Sequence, residues 1–165
     1  MNADKVYLVG FMGAGKSTVA RALARRIGWR AEDIDHRIEA RERRTVAAIF
    51  AQQGEPYFRQ VERLVLGELL PQRHIIVATG GGTFVETDNQ ALMLADGVVA
   101  WLDLTFAQVV DRVPVDGRRP LAADRVQLEQ LYLKRQLAYS HAHVRLDGSA
   151  PVAAVVERLL EWLGY

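Results

Sequence analysis

Short runs with strand character alternate along the chain with longer segments in which apolar residues recur every three or four positions. The strand candidates are KVYLVG (5–10), WRAEDID (29–35), HIIVAT (74–79), VVAWLD (98–103) and VRLD (144–147). Between the first two, Val19, Leu23 and Ile27 repeat every four residues, and Gly28 supplies a helix stop. In EPYFRQVERLVLGELL, Pro56 suits a first helical turn, and Phe58, Val61, Val65 and Leu69 make an apolar stripe. A last helix is expected from about Pro151, with Val152, Val155, Val156, Leu159, Leu160 and Leu163 on its apolar side. Strands alternating with helices predict βαβ units, hence an α/β fold whose parallel sheet is covered on both faces. Such connections are nearly always right-handed.

Length adds that 165 residues make one domain, 1–165, large enough for a core without disulfide or metal staples. A formal net charge of +1 argues against a protein that coats nucleic acid or an anionic membrane. With no cysteine, thiolate chemistry is excluded. No secretory signal is visible and no apolar run is long enough to span a bilayer, so the default expectation is a soluble, cytoplasmic protein. The least regular segment is DRVPVDGRRPLAAD (111–124), with two prolines, a glycine and three arginines. Inside an otherwise regular chain it reads as a surface loop or a functional flap.

GFMGAGKST, Gly10 to Thr18, lies between a predicted strand and a predicted helix and fits G-x-x-x-x-G-K-[ST]. Its glycines let successive N–H groups turn inward around a phosphate. Lys16 brings a cation to the β- and γ-phosphates, the Ser17 hydroxyl suits Mg²⁺, and the helix that follows points its positive end at the anion. The motif implies ATP or GTP. A GTP-driven switch is disfavoured, because TGGG follows the third strand where D-x-x-G belongs, and no N/T-K-x-D is present.

Beyond the P-loop, the chain resembles the shikimate kinases over nearly its whole length. The matching pieces come in that family's order: GFMGAGKST, DID (33–35), GEPYFRQVE (54–62), TGGG (79–82), RRPL (118–121) and KRQLAY (134–139). The resemblance implies a three-layer α/β/α kinase of nucleoside-monophosphate-kinase type, with five parallel strands and the first at the centre. It also implies transfer of the γ-phosphate of ATP to the 3-hydroxyl of shikimate, with Mg²⁺. Residues 33–62 then carry substrate-binding helices, and about 112–124 form a mobile lid. A monomer is the default expectation, although the sequence itself does not give the oligomeric state.

Residue by residue, the resemblance places Gly13, Ala14, Gly15, Lys16, Ser17 and Thr18 around the nucleotide. It puts Ser17 and Asp33 at the metal, and Asp35 at the substrate hydroxyls. The residues themselves leave alternatives. Asp33 and Asp35 lie two apart at a predicted strand end, so alternation aims them alike, toward where ligands bind a parallel sheet. An Asp just before HRIEARERR would equally cap a helix. Arg59 and Glu62, spaced i, i+3, read locally as a surface ion pair; the resemblance makes Arg59 a ligand of the substrate carboxylate and Glu62 its orienting partner. Gly80, Gly81 and Gly82 read as a strand-ending turn or as a close approach of backbone to ligand, and the resemblance sets Gly81 against shikimate. No Asp in the third strand is available to hold Mg²⁺, which favours Asp33. Arg119, before Pro120 and Leu121, matches the lid arginine that reaches the phosphates, with Arg118 facing solvent. Arg135, among leucines, reads locally as a stem laid on apolar surface, and by resemblance as the second arginine on the carboxylate.

His36, His74, His141 and His143 read as non-metal residues; His141 and His143, two apart, would not share a helix face. The chain departs from the family in SHAHVRLDGSAP, which is about one residue short and lacks a basic residue near adenine, and in Ala122, where a second Leu is common. Competing readings are a related small-molecule kinase such as gluconate kinase, and a non-catalytic ATP-binding protein.

Overall fold

The structure, a computed structural model, describes residues 3–113 and 124–165. Five parallel strands stand in the order β2-β3-β1-β4-β5. They are β1 (Lys5–Val9), β2 (Arg30–Asp33), β3 (Ile75–Ala78), β4 (Val98–Asp103) and β5 (Val144–Asp147). The central strand β1 is buried along its length, as a strand covered on both faces must be. The expected α/β architecture with a central first strand is therefore present.

Helix α1 (Lys16–Ile27) ends at Gly28, whose φ of 74° gives the left-handed cap its position called for. α2 (Ile34–Glu42) follows β2 with no loop. α3 (Val46–Leu69) is broken at Gly54, with φ 81° and ψ 174°, and Pro56 opens its second half. Phe58, Val61, Val65 and Leu69 are all buried there. A short 3₁₀ turn (Thr83–Val85) precedes α4 (Thr87–Asp96); α5 (Phe106–Arg112), α6 (Arg125–Tyr139) and α7 (Val152–Leu163) complete the element order. Val155, Val156, Leu159, Leu160 and Leu163 of α7 are buried, but Val152, in its first turn, is exposed.

One expectation needs correction. The strand predicted over 29–35 stops at Asp33, where that residue's carboxylate accepts the His36 N–H at 3.1 Å and caps α2. Asp33 is thus the capping acid, not Asp35, and Asp35 lies in the first turn of the helix. The two carboxylates do not alternate on one strand.

The end of the sheet opposite the P-loop is pinned by Lys5, which is fully buried. Its Nζ donates to the carbonyls of Leu69 and Leu70 at the α3 C-terminus, at 2.9 and 2.7 Å, and to Asp96 at 2.6 Å. The Tyr7 hydroxyl also donates to Asp96, at 2.6 Å. No helix among the described residues is long and apolar enough to cross a membrane.

Candidate active site

At the C-terminal ends of the strands lies a cleft of about 700 Å³. Of the residues singled out from sequence, Gly13, Gly15, Lys16, Ser17, Thr18, Asp33, Asp35, Arg59, Glu62, Gly80, Gly81, Gly82 and Arg135 all line it. Ala14 is buried beneath the loop, and Arg118 and Arg119, with most of the proposed lid, fall outside the described residues.

One wall is the P-loop. Gly13 and Gly15 hold φ of 81° and 90°, which a β-carbon would strain. Gly15 caps α1 without a side-chain hydrogen bond, so the helix presents its first N–H groups to the cleft. Lys16 Nζ donates to the carbonyls of Gly10 and Phe11 at 2.6 and 3.0 Å. Ser17 Oγ donates to Asp33 Oδ2 at 2.5 Å, which joins the loop to the end of β2.

The opposite wall is built on the glycine turn. A β-carbon at Gly80 would lie 3.0 Å from Asp35 Oδ1; at Gly81, 2.7 Å from Arg135 Nη1; at Gly82, 2.7 Å from Arg59 Nη1. The three glycines therefore make room first for the site's own side chains. The close approach of backbone expected at this turn is, at least in part, an approach to the site's own side chains. It also brings a carboxylate and two guanidiniums against three successive residues, whose Cα atoms are about 3.8 Å apart.

The two arginines are held differently. Arg59 Nη1 donates to both oxygens of the fully buried Glu62, at 3.0 and 3.2 Å, and its Nη2 reaches Glu55 at 3.2 Å. Burial works against the Arg59 charge, but the Glu62 and Glu55 carboxylates outweigh it and the proton is held more firmly than usual. Burial pushes the Glu62 carboxyl up; Arg59 and the Thr83 hydroxyl oppose this only in part, and Asp35 adds to it. Arg135 is only 4% exposed. Its guanidinium lies over the Phe11 ring, 5.6 Å from the centroid. Among the described residues no carboxylate forms an ion pair with it. Burial and the like charge of Arg59 lower its proton affinity. Among the carboxylates of the described residues, only the more distant Glu55 and Glu62 act on this charge, a setting that suits an anion in the cleft.

Sequence reasoning missed Thr83 and Tyr139. Thr83 Oγ1 accepts the Gly80 N–H at 3.0 Å and donates to Glu62 Oε2 at 2.8 Å. The Tyr139 hydroxyl donates to the Gly81 carbonyl. Tyr139 stands in KRQLAY, four residues past Arg135 and so on the same helix face, which was an available signal. Two histidines have structural places: His143 Nδ1 accepts the Val99 N–H at 2.9 Å, and His74 packs edge-on against Trp29.

A β1-centred parallel sheet, a P-loop feeding α1, and acids and arginines converging on the strand ends define a P-loop kinase of small molecules. The family model for shikimate kinase matches residues 12–164, and the chain belongs to the shikimate kinase family, whose members are ATP-dependent phosphotransferases. It is 39% identical over 157 residues to the shikimate kinase of Persephonella marina, covering 93% of this chain and 96% of that one. Shikimate kinase from Acinetobacter baumannii in complex with shikimate superposes with a TM-score of 0.92 at 32% identity, covering 98% and 93% of the two chains. A gluconokinase from Sinorhizobium meliloti shares the fold alone, with a TM-score of 0.65 at 16% identity over 98% of this chain and 92% of that one.

Proposed function

We propose that this chain transfers the γ-phosphate of ATP to the 3-hydroxyl of shikimate, giving shikimate 3-phosphate and ADP. The observation that carries the reading is the glycine turn, which gathers Asp35, Arg135 and Arg59 within the span of a small ring. Shikimate has that layout, with one carboxylate and, across a six-membered ring, hydroxyls.

Arg135 and Arg59 take the carboxylate, since two planar guanidiniums can grip it by several N–H groups at once. Glu62 keeps Arg59 aimed. The grip fixes the ring, so that the 3-hydroxyl meets the γ-phosphorus in line with the bond to be broken. As the hydroxyl oxygen bonds to phosphorus, Asp35 takes its proton and the bond to the β-phosphate oxygen breaks. Lys16 and the N–H groups at the start of α1 hold the phosphates. Arg119 adds a cation to the transferring group by family resemblance.

The donors near the phosphates suit Mg²⁺. The Ser17 hydroxyl and the Asp33 carboxylate, 2.5 Å apart, are hard oxygen donors. Few protein ligands are what this ion uses when phosphates and water complete its shell. Bound there, the ion would neutralise charge on the β- and γ-phosphates.

ADP release measured with shikimate, gluconate and nucleoside monophosphates tests the proposal. Turnover with shikimate alone is the expected result, and turnover with gluconate or a nucleotide at equal efficiency would overturn it. Shikimate methyl ester is expected to be a poor substrate. If the ester reacts as well as the acid, the two-arginine grip is wrong.

A further inference from the structure

Thr83 is completely buried and lies outside the lining of the cleft, yet its hydroxyl uses its proton and a lone pair on two parts of the site. It accepts from Gly80 N–H at 3.0 Å and donates to Glu62 Oε2 at 2.8 Å. Its own carbonyl accepts from Asn89 Nδ2 at 3.1 Å, which ties it to α4. We infer that Thr83 is a positioning residue for substrate binding: its hydroxyl fixes the Glu62 carboxylate in the one orientation that aims Arg59 into the cleft. The inference rests on the proposed role of Arg59 as a ligand of the substrate carboxylate.

Glu62 is the lever. Both of its oxygens accept from Arg59 Nη1, and Oε2 also accepts from Thr83. Without the hydroxyl, Oε2 and the Gly80 N–H each lose a buried partner, and an unmet buried polar group is costly enough to drive rearrangement. Two rearrangements are open to Glu62. It can rotate, or it can take up a proton, which burial already favours. Either one loosens Arg59. The other strong contact of Arg59 is Glu55, whose side chain is 51% exposed at the rim. Arg59 would then be drawn outward, away from the turn where Gly82 now makes room for it. The nucleotide wall contains none of these groups, so the damage falls on one substrate.

The test is steady-state kinetics on Thr83→Val, which keeps the shape and removes the hydroxyl, and on Thr83→Ser, which restores the hydroxyl. Losing one charge-assisted orienting contact should raise the KM for shikimate by roughly tenfold in Thr83→Val. The KM for ATP should stay within about twofold of native, and Thr83→Ser should recover most of the loss. KM is independent of how much of the preparation is folded, so a less stable variant remains informative. An unchanged KM for shikimate in Thr83→Val, a parallel rise in both KM values, or no recovery in Thr83→Ser would each overturn the inference. Arg59→Lys, assayed alongside, separates the two layers. If it raises the KM for shikimate while Thr83→Val does not, only the role of Thr83 fails. If neither changes it, the assignment of Arg59 itself is wrong.

Discussion

Arg135 Nη1 sits 2.7 Å from the point that a β-carbon on Gly81 would occupy. The guanidinium and the glycine are therefore one device. Gly81 carries no positive φ, so its backbone tolerates a side chain and only the space does not. Gly81→Ala should fold normally but push Arg135 off its position, raising the KM for shikimate by roughly tenfold or more at nearly constant KM for ATP. Gly67→Ala is the control. Gly67 lies exposed within α3, and nothing stands within 4 Å of its would-be β-carbon. That change should raise the melting temperature by a few degrees, from the ~1 kcal/mol helix preference of Ala over Gly. Normal substrate kinetics in Gly81→Ala would show that the close contact has no bearing on binding.

Lys16 bridges two carbonyls of its own loop and lines the cleft, away from the hydrophobic core. Lys16→Met should leave the melting transition near native and lower kcat by roughly 10²-fold or more, because a cation on the transferring phosphate acts mainly in the transition state. Near-normal turnover would remove the P-loop assignment.

The two strands nearest the chain's end were readable residue for residue: VVAWLD and VRLD are β4 and β5. Their boundaries are set by local turns, which sequence carries. β2 was overextended because Ile34, a buried β-branched residue, continues a strand-like pattern into the first turn of α2. What ends the strand is the Asp33 cap, a contact of three residues' span that competes with the alternation. Beyond the P-loop, the side chains that line the cleft came mostly from family resemblance, since Arg59 looks locally like half of a surface ion pair and Arg135 like a stem laid on apolar surface. Thr83 was invisible because the meaning of its hydroxyl depends on Glu62, twenty-one residues earlier, and on the fold that brings them together. The glycine triplet showed that space was needed but not for what.

At the far end of the sheet, stability should carry a pH signature from Asp96. Burial pushes its carboxyl up, but hydrogen bonds from Lys5 and Tyr7 and the nearby charges outweigh this and hold it below the usual range. A carboxyl with a lowered folded value stabilises the fold above its unfolded value of about 3.9, and that contribution is lost as pH falls through the folded value. Asp96→Asn should therefore be less stable at pH 7, while its stability should fall less steeply than native below about pH 5. Urea titrations from pH 7 to pH 2 measure this. Parallel curves for the two proteins would mean that Asp96 contributes no acid sensitivity.

Asp33 and Asp35 are close in sequence but sit in different settings, and their roles separate by experiment. Asp33 is tied to Ser17 Oγ and caps α2; Asp35 faces the glycine turn near Glu62. If Asp33 helps hold the metal, Asp33→Asn should raise the Mg²⁺ concentration needed for half-maximal rate, and excess Mg²⁺ should restore part of the activity. If Asp35 accepts the proton of the attacking hydroxyl, Asp35→Asn keeps the shape and removes the acceptor, so kcat should fall by roughly 10²-fold or more. No concentration of Mg²⁺ should restore it, because the missing group is a base and not a ligand. ATP binding, followed by equilibrium titration, should be native in Asp35→Asn, since the nucleotide wall is intact. Should Mg²⁺ restore Asp35→Asn and leave Asp33→Asn unchanged, the two assignments must be exchanged.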